Sequence, residues 1–140
     1  ITLDPNYADA YVWLGDTMNF VGEPRKALTL IQQAMRLNPH YPPRYLFALG
    51  HTYRILGRTE DAITVLRQSL ARNPNLMPSR FQLAAAYSEA GLEEEARNQG
   101  AELLRLSPHY SVEQAKQTIP YKDPAVMDRY LTALRKAGLD

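Results

Sequence analysis

The residues of this 140-residue chain whose types could hold a metal or move protons are three histidines, His40, His51 and His109, and the acidic run Glu93, Glu94 and Glu95. Metal coordination needs its ligands within a few ångströms of a common point. His40 and His109 stand at matching places in "NPHY" and "SPHY", two sequence periods apart, so a regular array keeps them on separate turns. His51 has no carboxylate or nucleophile at a fixed local spacing. Three glutamates opening a helix complement its dipole, which is a simpler account of them than an acid–base pair. The chain contains no phosphate-cradling glycine loop, no G-x-S-x-G, no H-E-x-x-H and no cysteine. The expectation is no catalytic residue, no cofactor and no metal in this segment. Recognition is the chemistry that remains.

Charge narrows the partner. The formal net charge is +1, which gives no general pull towards nucleic acid or a membrane surface. Residues 36–80 do hold seven arginines against Glu60 and Asp61. They fall on corners and on both helices of each pair, without the single basic stripe and exposed aromatics of a nucleic-acid surface. No apolar run approaches the ~18–20 residues of a membrane span. "ITLDPNY" lacks the charged-then-apolar build of a signal peptide, so a cytoplasmic location is expected.

Positioning any binding residue is the task of a repeat. Pro5, Pro39, Pro74 and Pro108 are spaced 34, 35 and 34 apart. Gly22, Gly57 and Gly91 each end one apolar-periodic stretch and precede another, as helix-terminating glycines do. The stretches after them place Ala27, Ile31 and Ala34, then Ala62, Leu66 and Leu70, at helical spacing. Each period therefore reads as two helices of about 13 residues joined by a short turn. Gly15, Gly50 and Ala84 occupy equivalent places in the first helices, where a minimal side chain lets two backbones approach. Thr59 is expected as an N-cap. Gly100 falls inside a helix, where it costs about 1 kcal/mol relative to alanine.

The set Tyr11, Leu14, Gly15, Met18, Ala27, Ile31, Pro39 is followed by Leu46, Leu49, Gly50, Tyr53, Ala62, Leu66, Pro74. A weaker third set is Arg80, Leu83, Ala84, Tyr87, Ala96, Gly100, Pro108. Together they resemble the tetratricopeptide repeat. The resemblance implies an all-α fold, a helical-hairpin solenoid winding as a right-handed superhelix and closed by C-terminal capping helices. On this pattern residues 1–110 comprise three helix pairs (8–39, 43–74 and 77–108) preceded by the tail of an upstream repeat. Residues 111–140 form a degenerate fourth repeat or capping pair. The family's first helices line a concave groove that holds an extended protein or peptide segment. Carried over, the groove residues are Val12, Asp16 and Asn19, then Phe47, His51 and Arg54, then Phe81, Ala85 and Ser88. Arg54 and His51 would favour an acidic segment, with Asp16 opposing it. The lysine- and asparagine-rich clamp of chaperone-binding members has no counterpart at Val12, Asp16, Phe47 and His51.

The rhythm breaks at "IPYKDP", residues 119–124. Ser111 and Gln114 have capping-box spacing, but Pro120 stops the helix that follows after about two turns. A new helix is expected with Asp123 as N-cap, Pro124 first and Gly138 as terminator. Val126, Met127, Tyr130, Leu131 and Leu134 would be its buried stripe and Asp128, Arg129, Arg135 and Lys136 its outer face. This reads as the end cap a solenoid needs. "SVEQAKQTIPYKDPAVMDRYLTALRKAGL" also resembles the ending of bacterial proteins that carry a nucleotide cyclase domain ahead of tetratricopeptide repeats. Similar endings occur behind DNA-binding regulator domains. The function implied is a non-catalytic regulatory or scaffolding region of an adenylate/guanylate cyclase-like signalling protein. The alternatives are an effector-binding or dimerising arm of a transcriptional regulator, and a surface serving mainly for self-association.

Overall fold

The computed structural model describes residues 5–140, so the expectation of an upstream repeat's tail concerns in part residues 1–4, which lie outside the described residues. Eight α-helices follow in order, with no strand among the described residues. They are α1 (Pro5–Phe20), α2 (Pro24–Leu37), α3 (Pro43–Ile55), α4 (Thr59–Arg72), α5 (Met77–Glu89), α6 (Glu93–Leu106), α7 (Val112–Thr118) and α8 (Pro124–Lys136).

The turn chemistry explains the boundaries. At the end of α3, Gly57 adopts φ +79°, a region costly for other residues. This lets Gly57 N–H donate to the Arg54 carbonyl at 3.0 Å and Arg58 N–H to the Tyr53 carbonyl at 2.9 Å, a Schellman closure. The same pair of bonds closes α5 and α8. Thr59 is the first residue of α4 and not its cap; its hydroxyl turns back to the Gly57 carbonyl at 3.4 Å. Ser111 and Asp123 do cap α7 and α8, accepting from the amides of Gln114 and Ala125.

Helices pair as α1 with α2, α3 with α4, and α5 with α6, and small residues decide how closely. A Cβ added to Gly50 would lie 2.4 Å from Leu66 Cγ, and one added to Gly15 2.8 Å from Ile31 Cγ1. The first helices then touch side by side, α1 on α3 and α3 on α5, while α2 bridges to α3 and α4 to α5. The next element in that pattern is α8, not α7. α8 packs on α5 and α6 as α5 packs on α3 and α4, burying Tyr130, Leu131, Leu134 and Leu139. α7, only seven residues long, packs against α8 and is left out of the stack.

Candidate binding groove

The inner layer formed by α1, α3, α5 and α8 has two adjoining hollows. One, of about 500 Å³, lies between α1 and α3 and reaches Leu76 and Pro78. Its walls are Val12, Phe20, Phe47 and Ala48, its charged members are Asp16 and Arg44, and Trp13 stands at its rim, 75% exposed. The second, of about 300 Å³, is lined by Phe81, Gln82 and Met77 below and by Tyr110, Ile119 and Tyr121 from the C-terminal region.

That C-terminal lining is the outcome of the break at residues 119–124. Proline at 120 and 124 keeps the intervening segment out of helix. The segment turns back across the inner layer, where Lys122 N–H donates to the Phe20 carbonyl at 2.8 Å. Tyr121 is thereby driven between repeats and is 9% exposed. Its ring packs on Phe20 at 5.0 Å, His51 at 5.7 Å and Tyr130 at 5.9 Å between centroids.

A buried polar network surrounds it. His51 Nδ1 lies 3.0 Å from Asp16 Oδ1 and His51 Nε2 2.5 Å from the Tyr121 hydroxyl oxygen. The Asp16 carboxylate can only accept, so Nδ1 carries the proton and Nε2 accepts from Tyr121 O–H. Complete burial holds the His51 imidazole below its ordinary pKa, outweighing Asp16, so the ring is neutral near pH 7. Burial likewise pushes the Tyr121 phenol up. Arg54, wholly buried, donates from Nε to Gln82 Oε1 (2.6 Å), from Nη1 to Glu89 Oε1 (2.6 Å) and from Nη2 to the Tyr121 oxygen (3.3 Å). The Tyr130 ring covers its guanidinium at 4.9 Å. Arg129, placed by its spacing on the outer face, instead donates to the Arg54 and Ile55 carbonyls that end α3, at 2.8 and 3.1 Å.

The residues expected to form one groove are thus divided. Val12, Asp16 and Phe47 line the open hollow. His51 and Arg54 are sealed beneath Tyr121, and Phe81 packs against Tyr110 at 4.6 Å. Asn19 is buried, donating to Thr52 Oγ1, Ala85 is buried, and Ser88 donates to the Ala133 carbonyl of α8. Tyr121, Gln82 and Trp13 were not singled out by the spacing of the repeat, and Tyr130 was expected only as a buried residue of the last helix, where it is 3% exposed. The bracketing prolines were the available signal for Tyr121, since they mark an extended segment that must rest on something. Among the described residues no group of three or more His, Cys, Asp or Glu is placed to hold a metal, and His40 and His109 are exposed at their corners. No helix among the described residues is long and apolar enough to cross a membrane.

Comparison with known proteins agrees with this geometry. The family model for the tetratricopeptide repeat matches residues 43–76, which are α3, α4 and the turn after them. The solved structure of MamA superimposes with a TM-score of 0.67 at 21% identity, covering 96% of this chain and 78% of that one. A curated protein of Rhizobium meliloti (strain 1021), named "Putative adenylate cyclase 3", is 41% identical over 44 residues. That stretch is 31% of this chain and 8% of the length of the curated relative.

Proposed function

We propose, given that this chain is a tetratricopeptide-repeat helical solenoid with residues 43–76 as a matched repeat, that it acts as a non-catalytic protein–protein interaction module. The observation that carries this reading is the open apolar hollow of about 500 Å³ on the inner layer, with preformed walls. Rigid walls lower the ordering cost of capturing an extended segment. A library of random short peptides panned on the chain tests it. Peptides should enrich on the wild type and be lost on Phe47→Ala and on the surface change Trp13→Ala, with the far-UV circular dichroism unaltered. Enriched peptides that bind both variants equally would reject this hollow as the site.

The finer reading is a cytoplasmic regulatory or scaffolding region of a bacterial adenylate/guanylate cyclase-like protein. Its support is the resemblance of the last 30 or so residues together with the partial match to the Rhizobium protein. Sequencing the native gene upstream of the codon for Ile1 decides it. A cyclase core there is the expected result, and a DNA-binding domain would overturn this context while leaving the interaction module in place.

A further inference from the structure

The charge of the partner follows from which ionic groups of the inner layer are already satisfied, given the reading of the open hollow as a binding surface. By type alone, His51 and Arg54 favour an acidic ligand. Neither presents a free charge to the hollow: Arg54 is neutralised by Glu89 at 2.6 Å and roofed by Tyr121 and Tyr130, and His51 is a buried neutral ring. The charged side chains that do line the hollow are Asp16 and Arg44. Arg44 is itself 49% exposed, but its charge is offset by Asp9 at 2.7 Å and it lies over the Tyr45 ring, whereas a neutral His51 offsets no charge on Asp16. Asp16 is partnered through one oxygen by His51, its side chain is 31% exposed, and among the described residues no lysine or arginine lies within ion-pair distance of it.

Around that carboxylate the surfaces are aromatic. Phe20 and Phe47 both pack on His51, at 5.3 and 5.8 Å between centroids, and both line the hollow with Trp13 at the rim. Ring faces attract cations, and a carboxylate beside them adds to that attraction and repels an anion. The chain's own segment covers the adjoining hollow, where Lys122 N–H bonds the carbonyl of Phe20, a residue that borders both hollows. We infer that this hollow takes an extended apolar segment bearing a lysine or arginine, whose cationic head pairs with Asp16 between Phe20 and Phe47.

The test uses the random peptide library on the intact chain and on Asp16→Asn, which keeps an acceptor for His51 Nδ1–H and removes the charge. The best peptide is then titrated beside its Lys/Arg→Glu counterpart, read through Trp13, the chain's single tryptophan. Wild type should select basic, apolar sequences and bind the glutamate counterpart roughly tenfold more weakly or worse, and Asp16→Asn should shrink that gap to about twofold or less. Selection of acidic peptides, or an unchanged gap in Asp16→Asn, overturns the charge assignment while sparing the interaction module. No enrichment over bare beads overturns both.

Discussion

His51 illustrates how little a residue's type says about its role. Imidazole could have been ligand, base or cation. Here it is a neutral linker that donates to Asp16 and accepts from Tyr121, satisfying both nitrogens of a ring that is itself buried. The stability this confers depends on pH with a definite sign. Its folded pKa lies below its unfolded value near 6.5, so the unfolded chain binds the proton first as pH falls. The contribution is fully present above about pH 6.5 and is lost progressively below it. Urea midpoints measured from about pH 7.5 down to about pH 5 should therefore decline, and His51→Gln should flatten that decline. An equal slope in the variant would place the pH dependence elsewhere.

At the scale of elements, packing reverses a propensity argument at Gly100. A mid-helix glycine invites replacement by alanine, with a gain of about 1 kcal/mol. In the structure a Cβ at position 100 would lie 1.9 Å from the Ala137 carbonyl oxygen, because the C-terminus of α8 rests directly on α6. Backbone cannot yield as a flexible side chain can. Gly100→Ala should therefore destabilise by roughly 1–3 kcal/mol, with faster amide exchange concentrated in α8. A stabilised variant would mean that α8 does not dock there. The same contact accounts for a glycine here where α2 and α4 carry Ile31 and Leu66: the space for a large residue is taken by the end of α8.

The whole molecule is not a simple linear array. In an ideal solenoid each repeat feels only its neighbours. Here the segment before α8 bonds the end of α1 through Lys122 and α3 through Tyr121, across sequence separations of 70 for His51 and 67 for Arg54. The closure makes the C-terminus a tie between the first and last parts of the stack. Tyr121→Ala removes a buried ring and should cost about 3–5 kcal/mol, the range for large aromatic truncations. It should also raise amide exchange in α1 and α3, far away in sequence. Exchange changes confined to α7 and α8 would show that the array behaves as independent neighbours after all.

Most of what rests on neighbours within about four residues could be read from the sequence, the glycine turns and the caps at Ser111 and Asp123 though not one at Thr59, and the repeat's period added the small residues at Gly15 and Gly50. These signals are local because helix hydrogen bonds, caps and amphipathic spacing are local. Which helix would continue the stack, where Tyr121 comes to rest and which charges stay free were decided only in three dimensions. Arg54 looked like a groove cation and is instead a buried, neutralised strut, whereas Asp16 keeps an exposed edge. The reason is that a side chain's partners are set by where distant segments return, and the return of residues 119–123 left no period in the sequence to announce it.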